Sequence, residues 1–306
     1  MLAEQLGGRP TQETKETPGP TPYVVSADIR LLLQQWADKR GYTLPDNHFF
    51  TDLRGEFNDY ARGIFPGYQM VSEVEMSTGL SDIVNRNGLF PVSLDKVYYP
   101  TIPGLDLNRQ VDINGQDRGI ARRADTPLFV RQLKDLRDLG VKEVALVDDV
   151  IFTGTLIGRV SDSLERMGIQ VPVVCGGIGV GEGIQSLQAS GKKVECVRTY
   201  TKIVDEICER DFYPGVPQSG RLLANDGNVG LPYVLPFGNP QKWASIPAQE
   251  EGRFSEFCLK QTKRLFEAIE TFSGRSVNCE DLDRKVIGLP QDNTRFVDAL
   301  NQVSMS

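Results

Sequence analysis

Asp148 and Asp149 stand side by side at the end of a short apolar run, Val144-Ala145-Leu146-Val147, and a small hydroxylic turn, Thr153-Gly154-Thr155, follows them. Each part of that order has a chemical use. An ionised carboxylate only accepts hydrogen bonds, so two adjacent ones suit vicinal hydroxyls such as a ribose carries, at ~1.5–3 kcal/mol for each charge-assisted bond. Thr153 and Thr155 add hydroxyl donors, and Gly154 removes the Cβ that would keep backbone N–H groups away from an anion. If the apolar run is a buried strand and Thr155-Leu156 opens a helix, the free N–H groups and positive end of that helix complete a phosphate cradle. The opposing interpretation is two solvated acids at a strand end and a threonine that caps a helix.

Charge of the other sign gathers ahead of that loop. Arg109-Gln110-Val111-Asp112-Ile113 and Gln116-Asp117-Arg118-Gly119-Ile120 flank Asn114-Gly115, a strong hairpin signal, and the segment carries Arg109, Arg118, Arg122 and Arg123. Beyond the loop, Gly176-Gly177-Ile178-Gly179-Val180-Gly181-Glu182-Gly183 reads as a turn. It fails the dinucleotide fingerprint because Glu182 stands where the third glycine is needed, and the chain has no G-x-x-x-x-G-K-[ST] loop. Cys208 to Arg221 is dense in polar and aromatic groups for a loop. His48 is the only histidine, which excludes two-imidazole mechanisms, and its place in Asp46-Asn47-His48 reads as a helix-start surface position. Five scattered cysteines without Cys-x-x-Cys spacing argue for reduced thiols and against zinc.

The elements that must position these groups follow from periodicity. Residues 1–22 read as a disordered tail, rich in Thr, Glu, Pro and Gly. A helical region over 23–93 has one helix from Ser26 to Gly41, capped by Ser26, and a second from Asn47 to Ile64. Strands are expected at Lys96–Tyr99, Val144–Val147, Val171–Val174 and Lys193–Val197. Helices starting at Thr126-Pro127 and Leu156 alternate with them. That alternation predicts an α/β core over 94–201 with a parallel sheet and flanking helices. Residues 202–306 form a mixed C-terminal extension, irregular from Thr199 to Pro247, with helices over Phe254–Phe272 and Thr294–Val303. The chain of 306 residues is 40% hydrophobic and 25% charged, with a formal charge of -7, so it has no global attraction for nucleic acid and any phosphate site must be local. No apolar stretch approaches the roughly 20 residues of a membrane span, and the expected location is cytoplasmic.

Val144 to Leu156 resembles the phosphoribosyl pyrophosphate (PRPP) signature of type I phosphoribosyltransferases, in its orotate-type variant. The resemblance covers about a dozen residues and implies a phosphoribosyltransferase-like core. It implies transfer of 5-phosphoribosyl from PRPP to a nitrogen of a nucleobase-like acceptor, with magnesium carried by PRPP. Asp148 and Asp149 would hold the ribose, and Thr153, Gly154 and Thr155 the 5-phosphate. The family's basic loop maps to the hairpin, giving Arg118 and Arg122 a catalytic role at pyrophosphate. Gly177, Phe212 and Tyr213 become base-facing candidates, and a homodimer is the expected assembly. Three departures stand out: Phe152 where purine-type members carry an acid proposed as general base, Leu156 in place of a small or hydroxylic residue, and Pro100-Thr101-Ile102-Pro103-Gly104 without a Lys or Arg where a pyrophosphate loop is expected. A non-catalytic PRPP- or nucleotide-binding regulator of the same fold, and a phosphorolytic enzyme, are the competing readings.

Overall fold

The computed structural model describes residues 19–123 and 126–303. In chain order they form β1 (Tyr23–Ser26), α1 (Ile29–Arg40), α2 (Asn47–Ile64), β2 (Tyr68–Val71), α3 (Glu73–Asn87), β3 (Phe90–Ser93), the hairpin β4 (Leu107–Val111) and β5 (Asp117–Arg122), and α4 (Phe129–Asp138). Next come β6 (Glu143–Ile151), α5 (Thr155–Arg166), β7 (Gln170–Val180), α6 (Gly181–Ala189), β8 (Lys193–Tyr200) and β9 (Asp205–Cys208). The last third holds β10 (Arg221–Leu223), β11 (Val229–Leu231), α7 (Pro240–Ala244), α8 (Glu251–Ser273), β12 (Lys285–Val286) and α9 (Phe296–Asn301). The fold is α/β, with two parallel sheets flanked by helices and a third, mixed sheet.

The four-stranded parallel sheet runs β3-β6-β7-β8. Val144, Ala145, Leu146 and Val147 of β6 are all buried, since a parallel strand covered on both faces reads as a continuous apolar run instead of an alternating one. On one face Val144, Leu146 and Val174 pack with Ile157, Val160 and Leu164 of α5. On the other, Ala145, Val147 and Val173 join Met76, Leu80 and Val84 of α3. A Cβ at Gly79 of α3 would lie 2.5 Å from a Val197 methyl on β8, so glycine sets how closely that helix sits.

The second sheet, β2-β1-β9, is also parallel. Phe57 of α2, Phe212 after β9 and Phe254 of α8 pack beside it, with ring centroids 5.6 Å (Phe57–Phe212) and 5.0 Å (Phe212–Phe254) apart. The third sheet, β12-β11-β10-β4-β5, ties the arginine hairpin to strands from the end of the chain. One apolar cluster takes in Tyr23, Val147, Phe254 and Leu300, so the main core is shared by the N-terminal helical region, the central stretch and the C-terminal extension.

Several expectations need correction. Ser26 ends β1 instead of capping a helix, and α1 begins after Asp28; a four-residue strand directly beside a helix is too short to separate by pattern. Of the expected tail, residues 1–18 lie outside the described residues, and Thr21-Pro22 lead directly into β1. Lys96–Tyr99 is a loop and the strand is β3. The apolar character of Val97 and Tyr98 comes from burial: the Val97 N–H donates to Asp95 Oδ1 at 2.8 Å, and the Tyr98 hydroxyl to the Ala27 carbonyl at 2.8 Å. Helix α3 and strands β9, β10 and β11 were not anticipated. The glycine run is not a turn either; β7 continues through it to Val180. Helix α2 has its expected bounds, and His48 on it is exposed, 3.4 Å from Asp52 one turn on. No helix among the described residues is long and apolar enough to cross a membrane.

Candidate active site

Parallel strands deliver their carboxyl ends to one side of a sheet, which is where open α/β folds place ligands. Here two parallel sheets do so together: β6 carries Asp148 and Asp149, β3 leads to Asp95, β1 to Asp28, and β9 to Glu209 and Arg210. Arg210 joins them. Its Nη1 is 2.7 Å from Asp28 Oδ2, and its Nη2 is 3.2 Å from Asp95 Oδ2 and 3.6 Å from Asp149 Oδ2. Arg123, just past β5, adds a second guanidinium 3.4 Å from Asp95. Arg54 of α2 holds Glu73 and Glu209, each at 3.0 Å.

Against this charged layer lies a cavity of about 390 Å³. Asp148, Asp149, Thr153, Gly154 and Thr155 all line it. The other charged walls are Asp95, Arg109, Arg123, Asp205, Glu206, Arg210, Asp211, Arg221 and Lys242, so six carboxylates face five cations. Burial, then the charges of Asp149 and Asp95, push the Asp148 carboxyl well above its ordinary range. Burial and Asp95 also raise Asp149, with Arg210 pulling the other way. For Asp95 burial works upward as well, but Arg210, Arg123 and the Val97 N–H outweigh it and hold the carboxyl low. The Cys208 thiol donates to Asp149 at 3.5 Å.

The turn after β6 has the form a phosphate cradle needs. Gly154 sits at φ +73°, directly before α5, and the Thr153 and Thr155 hydroxyls are 3.0 Å apart at the helix start. Helix α6 abuts this turn so closely that a Cβ on Gly183 would come within 2.5 Å of the Phe152 carbonyl oxygen. Part of the glycine run therefore seats the cradle.

The other predicted residues are placed elsewhere. Arg118 ion-pairs with Asp112 at 2.7 Å beside Leu223 to Asp226, and Arg122 donates to the Thr126 carbonyl and lines a separate groove with Phe129 and Arg159. From the same hairpin region it is Arg109 and Arg123 that line the cavity. Gly177 is buried in β7, where an added Cβ would meet Met76 Cε at 2.2 Å and the Asp149 carbonyl at 2.7 Å, so it packs α3 and faces no base. Phe212 and Tyr213 are both fully buried in the aromatic core and cannot stack on a ligand. The aromatic side chains on the cavity wall are Phe152, Tyr233 and Trp243, with the Arg221 guanidinium 5.7 and 5.1 Å from the Tyr233 and Trp243 rings. Pro100 to Gly104 does not line the cavity, and Ile102 projects wholly into solvent. Among the described residues no three His, Cys, Asp or Glu side chains converge as a metal cage.

Sequence reasoning missed Asp95, Arg210, Arg221 and Lys242. For Arg210 and Arg221 the one legible trace was the polar density of Cys208 to Arg221, which pointed at a region and to no residue; Asp95 and Lys242 left none.

No protein-family model matches the chain, and no curated protein matches it by sequence. Among solved structures it is similar to orotate phosphoribosyltransferase from Aeropyrum pernix, at 19% identity and a TM-score of 0.26, over 40% of this chain and 68% of that one.

Proposed function

We propose that the chain binds PRPP in this cavity and transfers the phosphoribosyl group to a nitrogen of a nucleobase-like acceptor, releasing pyrophosphate. One observation carries the reading. Two acids at the end of a parallel strand and a Thr-Gly-Thr turn at the next helix start line one cavity, together with arginines from separate segments. Asp148 and Asp149 accept from the ribose diol, and the turn holds the 5-phosphate. Arg109 and Arg123 take the place proposed from sequence for Arg118 and Arg122. As the C1–O bond breaks, negative charge grows on the leaving pyrophosphate, and fixed cations beside it stabilise the transition state more than the ground state. Magnesium in this reading would arrive with PRPP and would offset negative charge on the leaving group.

The regulator reading has its own support: Arg210 already partners Asp149, and two of the hairpin arginines turn away from the cavity. Pyrophosphate release from PRPP and magnesium across an acceptor panel decides between them. Transfer predicts release that depends on one acceptor; PRPP binding with no release under any acceptor favours the regulator.

A further inference from the structure

We infer that Glu206 of β9 accepts the proton that the acceptor nitrogen loses during transfer, an inference that rests on the transfer reading above. A nitrogen that bears hydrogen must shed it as it bonds to C1. The phosphate loop offers no base, since Phe152 stands where an acid would be useful.

The remaining cavity carboxylates are mostly engaged. Asp95 is held by Arg123 and Arg210, and Asp149 by Arg210 and the Cys208 thiol. Asp211 accepts from the Gly220 N–H at 2.8 Å, and Asp205 from the Ser245 hydroxyl at 2.8 Å. Asp148, with Asp149, is assigned to the diol. Glu206 differs in what surrounds it. Like Asp211 it lines the cavity, makes no ion pair among the described residues and takes one hydrogen bond, here from the Ser26 hydroxyl to Oε1 at 2.8 Å. The guanidinium groups of Arg210, Arg284 and Arg221 act on Asp211, however, whereas the charges acting on Glu206 are those of acids. The Glu206 Oε2 is left for a ligand.

The groups facing Glu206 are Asp149 from β6, Ser26 and Tyr23 from β1, Asp205 and Cys208 on its own strand and Asp211 from the following turn. Burial and Asp149 push its carboxyl well above the ordinary glutamate range, Ser26 opposes them, and Asp205 and Asp211 add to the rise. A base works best when it titrates near the operating pH. In the step, the nitrogen lone pair forms the N–C1 bond while the C1–O electron pair leaves on pyrophosphate. The N–H proton passes to Glu206 Oε2 and from there to solvent.

The test is the pH profile of pyrophosphate release for the full chain and for E206Q, E206D and S26A, with thermal unfolding as a fold check. The parent should show a rate that climbs with pH as Glu206 ionises. E206Q should lose that climb and about a hundredfold or more in kcat, with KM for PRPP changed less than about twofold, because the residue meets the acceptor and not the phosphates. E206D should recover part of the rate together with the climb. S26A should move the climb to higher pH. A folded E206Q that keeps both rate and profile overturns the assignment while leaving transfer standing. A parent that releases pyrophosphate with no acceptor overturns transfer itself, and the role of Glu206 with it.

Discussion

Asp148 lies almost out of solvent with Asp149 and Asp95 as neighbours, and no cation pairs with it among the described residues. A carboxyl whose folded value is raised takes up a proton that the unfolded chain does not. Its contribution to stability is therefore lost as pH climbs from the ordinary carboxylate range toward the raised value. Asparagine has no such penalty. D148N should unfold at a higher temperature than the parent, by a margin that widens with pH over that window and is small at acid pH. A margin independent of pH would show that Asp148 is not held in this way. Arg210 is the converse case, one cation serving Asp28, Asp95 and Asp149. Removing it as R210M strands buried negative charge and should cost ~3–5 kcal/mol in denaturant unfolding. Asp95, held low by its guanidinium partners, ties that loss to pH: its stabilising share is present above the unfolded value and disappears as pH falls through the folded one. The R210M deficit should accordingly shrink in acid. A deficit below about 1 kcal/mol at neutral pH would make the cluster ordinary surface charge.

The hairpin β4–β5 shows how an element divides its own side chains. Arg109 lines the cavity, whereas Arg118 is exposed and paired with Asp112. In the transfer reading R109A should lower turnover by at least about tenfold, the effect of ~1.4 kcal/mol of lost transition-state stabilisation, while R118A stays near the parent. Steady-state rates for the two variants check this, and equal effects would mean that the hairpin acts only through its net charge. The existence of this hairpin was legible from Asn114-Gly115, but which arginines face the cavity was not, since register depends on β10, a strand from the far end of the chain. The same division holds elsewhere. Local signals placed α2, α5 and the phosphate turn, because capping, helical period and a glycine in the left-handed region act over a few residues. The fate of Gly177 was decided by Met76, and that of Phe212 by Phe57 and Phe254, partners distant in sequence. Four-residue strands such as β1 and β9 carry too little pattern to be found before their neighbours are known.

The cavity draws on distant parts of the chain, from Leu94 to Trp243. Its acids come from β6 and β9 and from the segments that follow β3 and β9, its Thr-Gly-Thr turn from the start of α5, and Arg221, Tyr233, Lys242 and Trp243 from the C-terminal third. The main apolar core crosses the same boundaries. With a formal charge of -7 over the molecule, any affinity for a polyphosphate must come from this local set of donors and cations. The most direct measurement is a calorimetric titration of PRPP, with magnesium, into the parent and into the D148N/D149N double variant, each confirmed folded by circular dichroism. Holding the ribose diol through two carboxylates, charge-assisted once both are ionised, predicts a loss of ~3–6 kcal/mol, or about two to four powers of ten in affinity, at a pH above the raised Asp148 value. A folded double variant that binds PRPP as tightly as the parent would contradict the ribose assignment and the function built on it.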